Sequence, residues 1–177
     1  PPIYAASTFA QPAPGQHTGY EYSRSGNPTR HALETAIADL ENGTRGYAFA
    51  SGLAAISTVL ELLDKDSHLV AVDDVYGGTY RLLENVRRRS AGLQVSWVKP
   101  DDLAGIEAAI RPDTRMIWVE TPTNPLLKLA DLSAIAAIAR RHNLISVADN
   151  TFASPAIHRP LEHGFDIVVH SATKYLN

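Results

Sequence analysis

The segment TRMIWVETPTNPLLKLADLSAIAAIARRHNLISVAD, residues 114–149, holds the unit on which the fold reading rests. It opens on a short apolar run, TRMIWVE at 114–120, and closes on another, LISVAD at 144–149. Between them lies a helical segment at about 131–142. Two short apolar strands joined through a helix make a βαβ unit. Parallel strands are covered on both faces, so near-continuous hydrophobic runs are expected in them. The same alternation extends both ways. Further strands are expected at 45–50 (RGYAFA), 68–73 (HLVAVD), 93–98 (LQVSWV) and 165–170 (FDIVVH), with helices at about 51–63, 79–90, 101–110 and 155–163. The fold class that follows is α/β, a mostly parallel sheet with helices on both faces.

Upstream, SGNPTRHALETAIADLENG carries both a helix start and a stop. Asn27 can cap, Pro28 suits the first helical position, and Gly43 follows the end. Leu33, Ile37 and Leu40 fall at helical spacing and give one apolar face. The first 26 residues are rich in Pro, Gly, Ser and Tyr and read as an extended arm. The organisation expected is therefore an arm at 1–26 and an α/β domain at 27–177.

Bulk properties narrow the function classes. A chain of 177 residues with 45% hydrophobic content can bury a core. A net charge of −3 offers neither a nucleic-acid footprint nor a basic membrane patch. The absence of cysteine removes disulfides, thiolate nucleophiles and cysteine metal sites together. No apolar stretch approaches the roughly 20 residues of a membrane span, and no signal-peptide pattern opens the chain, so a cytoplasmic location is expected. The seven histidines contain no i,i+4 pair and no HExxH, so no metal is expected. The chain begins PPIYAAS and stops three residues past Lys174, which reads as a fragment of something longer.

In open α/β sheets ligands bind beyond the carboxyl ends of the strands, and five of the six expected strand ends carry distinctive residues. SGLAAI opens a helix at Ser51, where Gly52 permits close backbone approach and free N–H groups can hold an anion, although Ser-Gly is also an ordinary helix start. VYGGT sets Tyr76 beside two glycines, where its ring can stack on a planar ligand or pack on its own loop. ETPTNP follows Glu120 with a proline-stiffened loop holding Asn124, for contact or for structure. ADNTF puts Asp149 at the end of an apolar strand, where a carboxylate is costly unless paired. It can cap a turn or face a protonated ring nitrogen. HSATK supplies Ser171, Thr173 and Lys174.

Four lysines are present, and only Lys174 stands at the mouth of an apolar strand. Lysine is a nucleophile when deprotonated, a state that a desolvated or cationic setting favours. A surface lysine at a strand end is the plainer alternative. Lysine, buried aspartate, stacking tyrosine and a phosphate cradle together are the requirements of pyridoxal 5'-phosphate.

The motifs YEYSRSGNPTR at 20–30, SGLAAI, YGGTYR, ETPTNP, DNTFASP and SATKYLN occur in order along nearly the whole chain. In this the sequence resembles the Cys/Met-metabolism family of pyridoxal-phosphate enzymes, which have the aspartate-aminotransferase-like (type I) fold. The resemblance implies that the family's C-terminal domain is absent here. It implies Lys174 as the Schiff-base lysine and Asp149 as the partner of the pyridine nitrogen. Tyr76 would stack on the ring and assist proton transfers. The amides of Gly52 and Leu53, with the hydroxyls of Ser171 and Thr173, would hold the phosphate. Asn124 would approach the ring hydroxyl oxygen, with Glu120 supporting its loop. Tyr22 and Arg24 would reach the phosphate in a neighbouring subunit, within a tetramer built of active-site-sharing dimers.

The same resemblance implies γ-elimination on sulfur amino acids, with cystathionine split into cysteine, 2-oxobutanoate and ammonia. Cystathionine γ-synthase, joining cysteine to an acylated homoserine, is the alternative. Methionine γ-lyases tend to carry cysteine where this chain has Gly78, which argues against them. An aminotransferase and a non-catalytic α/β binding module are the remaining rivals.

Overall fold

The structure, a computed structural model, describes residues 1–176, and these form two compact units, the first Pro1–Ala48 and the second starting at Phe49. In the first unit, helix α1 spans Pro28–Leu40. Asn27 caps it, its side chain accepting from the N–H groups of Thr29 and Arg30 at 2.8 and 3.4 Å. The amide of Asn27 also donates to the Tyr4 carbonyl and the Ser23 hydroxyl, at 3.1 and 3.0 Å. The arm folds back on itself: Ser23 N–H reaches the Ser7 carbonyl and Phe9 N–H the Glu21 carbonyl, at 2.8 and 3.1 Å. One capping residue thus fixes both the helix start and the chain that leads into it.

Residues 45–50 are not a strand. Their alternation of small and large residues imitates one, but a strand needs a ladder partner. Here the Ala48 N–H donates to the Glu34 carboxylate at 3.0 Å, and Gly46 packs so tightly on α1 that a Cβ would lie 2.2 Å from the Glu34 carbonyl oxygen. The segment serves α1 instead of a sheet.

The second unit contains five strands: β1 His68–Val72, β2 Gln94–Val98, β3 Thr114–Glu120, β4 Ile145–Asp149 and β5 Ile167–Val169. Their order across the sheet is β2-β1-β3-β4-β5, and every pairing is parallel. All five residues of β1 are buried, as are six of the seven in β3. Continuous burial is what strands covered on both faces require. Trp118, Met116, Leu69, Val147, Ile106 and Leu83 make the centre of the core.

The connecting helices are α2 Gly52–Val59, α3 Gly77–Arg81, α4 Arg88–Ala91, α5 Leu103–Ala108, α6 Leu132–Arg141 and α7 Ser154–Ile157. Asp131 caps α6 through the Ala134 N–H at 2.9 Å. Leu132, Ile135, Ala136, Ile138 and Ala139 form its buried stripe. Each buried Leu or Ile contributes about 1.5–3 kcal/mol, so this stripe, rather than helix propensity, holds α6 in place. The helix expected at 79–90 runs from α3 through a π-helical turn at Leu82–Arg87 into α4. The one expected at 155–163 is broken, because His158 is fully extended and Pro160 starts a separate 3₁₀ turn, Pro160–His163.

The amino end of the sheet is closed by polar bonds. The buried His68 ring lies between the Thr114 and Ser96 hydroxyls at 2.6 and 3.0 Å, and burial lowers its pKa. The carboxyl end is different.

Candidate active site

Glu120 on β3 lies opposite Asp149 on β4, and Asp149 lies opposite Val169 on β5. The last residues of three strands are therefore level at one edge, and two of them are buried carboxyls. The Asp149 Oδ1 accepts the Thr151 N–H at 3.1 Å and the Thr151 hydroxyl at 2.5 Å. Burial pushes the Asp149 pKa up, while the two Thr151 bonds, then His170 and Lys174, pull the other way. The Glu120 Oε2 accepts the Tyr76 N–H at 2.8 Å. Burial first, and the nearby Asp149 second, push the Glu120 carboxyl up to about 8.

Just past β5 the chain enters the turn that carries Lys174. Its Nζ donates to the Ser171 and Thr173 hydroxyls at 3.3 and 3.4 Å, and the two hydroxyl oxygens are 3.4 Å apart. Lys174 itself is exposed.

The start of α2 meets this turn. Ser51 caps the helix, its hydroxyl accepting the Ala54 N–H at 3.1 Å. The N–H groups of Gly52 and Leu53 lie in the first helical turn, where no intrahelical acceptor exists. A Cβ on Gly52 would sit 2.8 Å from the Ser171 Cβ, so only glycine permits this approach. Two amides at a helix start and two hydroxyls on the adjoining turn form a donor set suited to an oxyanion.

Tyr76 follows β1 and remains 43% exposed, with its ring lying over Gly78: a Cβ there would be 2.3 Å from the Tyr76 Cε1. Asn124 is held by its backbone, its N–H donating to the Asp74 carbonyl at 3.0 Å. Tyr22 and Arg24 belong to the first unit, where the Arg24 guanidinium stands over the Tyr22 ring at 5.0 Å. Arg30 clasps that stretch by donating to the Ser23 and Arg24 carbonyls at 3.1 and 3.3 Å. The second unit thus brings Gly52, Leu53, Tyr76, Glu120, Asn124, Asp149, Ser171, Thr173 and Lys174 to strand ends and helix starts.

Two structural residues escaped the sequence reading. Asp74 adopts a left-handed backbone (φ +62°) and clamps the ETPTNP loop, its carboxylate accepting from the Thr123 hydroxyl at 2.6 Å and the Leu126 N–H at 2.9 Å. Thr151 bonds both Asp149 and, through its hydroxyl, the Ser171 N–H at 2.9 Å. Both stand inside quoted motifs, DDVYGGT and ADNTF, but nothing local names their partners.

A parallel sheet with this order of strands and helices is part of the large domain of the type I pyridoxal-phosphate enzymes. The sequence pattern of the Cys/Met metabolism PLP-dependent enzymes matches residues 1–177, and the chain belongs to that family. It is 62% identical over 176 residues to a cystathionine beta-lyase of Coxiella burnetii, covering 99% of this chain and 46% of the relative. It is 53% identical over 175 residues to a cystathionine gamma-lyase of Bacillus subtilis, with the same coverage of 99% and 46%. Among solved structures it matches a cystathionine gamma-lyase from Lactobacillus plantarum complexed with L-serine, at a TM-score of 0.94 and 54% identity, covering 99% of this chain and 45% of that one. The chain spans a little under half the length of these proteins. No described helix is long and apolar enough to cross a membrane.

Proposed function

We propose that the full-length protein is a pyridoxal-phosphate-dependent carbon–sulfur lyase acting on cystathionine. The observation that carries this reading is the convergence, at one sheet edge, of a lysine, two hydroxyls, a glycine-opened helix start and a buried aspartate whose pKa burial raises. Asp149 is costly where it stands, and a cationic ring nitrogen is the partner that offsets such burial. The N–H groups of Gly52 and Leu53 with the Ser171 and Thr173 hydroxyls suit a phosphate. Tyr76 offers a ring to stack on, and Asn124 a side chain for a ring oxygen. Arg24 and Tyr22 would complete the phosphate site of a neighbouring subunit, in a cytoplasmic tetramer of site-sharing dimers. The bound cofactor supplies an electron sink for charge developing at the substrate Cα. Lys174 is the base that moves the proton at Cα, with Tyr76 assisting near the substrate amine and leaving group.

Two regiochemistries compete. Loss of the γ-thiol gives cysteine, 2-oxobutanoate and ammonia, the reading the motifs favour. Loss of the β-thiol gives homocysteine, pyruvate and ammonia, and the similarity to the Coxiella burnetii beta-lyase favours that. Identifying the keto acid released from cystathionine decides between them. Four-carbon 2-oxobutanoate supports γ-elimination and three-carbon pyruvate β-elimination. No keto acid, but cystathionine formed from cysteine and an acylated homoserine, would replace the lyase with the synthase.

A further inference from the structure

We propose that Thr151 is a positioning residue that couples Asp149 to the turn bearing Ser171, Thr173 and Lys174. The proposal rests on the cofactor reading above. The polarity of the contacts carries it. The Ser171 N–H can only donate, so at 2.9 Å the Thr151 hydroxyl oxygen must accept from it. That hydroxyl therefore directs its own proton elsewhere, and the Asp149 Oδ1 stands 2.5 Å away to take it. The Thr151 N–H reaches the same carboxylate oxygen at 3.1 Å.

One side chain thus ties the end of β4 to the turn after β5. A second bond between the same segments, Asn150 N–H to the Val169 carbonyl at 3.0 Å, keeps Thr151 in reach. The arrangement also has a preferred charge state. A hydroxyl committed to donate has a good acceptor in an ionised carboxylate, and such charge-assisted bonds are the stronger kind. Burial favours the neutral acid, with Glu120 opposite on β3; Thr151 first, then His170 after β5 and Lys174, favour the ion. Thr151 bonds Asp149 directly, through both its N–H and its hydroxyl. Removing its hydroxyl leaves a buried carboxylate and a backbone N–H each short of a partner, and shifts both the ring-nitrogen contact and the phosphate hydroxyls.

The test uses the full-length protein and Thr151→Val, Thr151→Ala and Thr151→Ser. Pyridoxal 5'-phosphate is titrated into each apoprotein, and the absorbance of the bound cofactor is followed against pH. Val and Ala should weaken binding about tenfold or more and move the spectral midpoint, while Ser restores both. In an Asp149→Asn background the Val substitution should add little, because residues acting through one another are not additive. In the unaltered apoprotein the Ser171 amide should be protected from hydrogen exchange, a reading that needs no variant. Unchanged affinity and midpoint in the hydroxyl-less variants, full additivity with Asp149→Asn, or an unprotected Ser171 amide overturns the coupling alone. An unaltered protein that binds no cofactor overturns the parent reading with it.

Discussion

Glu120 and Asp149 face each other across β3 and β4, and of the two groups whose charge favours the Asp149 ion, His170 and Lys174, the lysine is exposed. Two buried carboxyls this close cannot both be ionised without penalty. Glu120, pushed to about 8, keeps its proton at neutral pH, while Tyr76 N–H partly opposes the shift. The consequence for stability has a definite sign. The folded state holds the Glu120 proton between the ordinary carboxyl pKa of about 4.5 and about 8, a window in which the unfolded chain has already released it. Stability from this group is complete below that window, falls by up to about 1.4 kcal/mol per pH unit through it, and levels off above. Glu120→Gln keeps an acceptor for the Tyr76 N–H and abolishes the titration. The melting temperature of Glu120→Gln apoprotein, minus that of the unaltered apoprotein, should therefore rise steadily from pH 5 to pH 8. A difference that stays flat with pH would show that Glu120 titrates normally.

At the scale of elements, what matters is how close α2 comes to the turn after β5. The missing Cβ of Gly52 sets that distance, since an alanine methyl would stand 2.8 Å from the Ser171 Cβ, both backbone-attached and unable to swing away. Gly52→Ala should cost about 1–3 kcal/mol of stability by overpacking and loosen cofactor retention, read by denaturant titration and by absorbance after dialysis. A variant of equal stability that retains cofactor would mean the turn yields freely. The elements themselves were largely legible. Continuous apolar runs announced β1, β3 and β4, and the helix expected at about 131–142 is α6, Leu132–Arg141. The failures have physical causes. RGYAFA looks like a strand, yet its Ala48 N–H goes to Glu34. Residues 155–163 have helical composition, yet His158 is extended. Asp74 and Thr151 were unreadable in role because their partners lie about 50 and 20 residues away, at Thr123 and Leu126 and at Ser171. Only the parallel sheet makes them neighbours.

For the whole molecule, a family chain spanning under half of its relatives' length contains a five-stranded sheet with both buried carboxyls at its carboxyl edge. The second unit gathers the residues proposed for the ring nitrogen, phosphate and reactive amine. The first unit carries Tyr22 and Arg24 on a braced arm, proposed for a neighbouring subunit's site. Catalysis accordingly belongs to the assembled full-length protein, and the account depends on Lys174 being its covalent anchor. Reduction of that protein with borohydride in the presence of pyridoxal 5'-phosphate, followed by peptide mapping, tests this directly. The cofactor's mass should be fixed on Lys174. Its appearance instead on Lys65, Lys99 or Lys128, or on no lysine at all, would contradict the account.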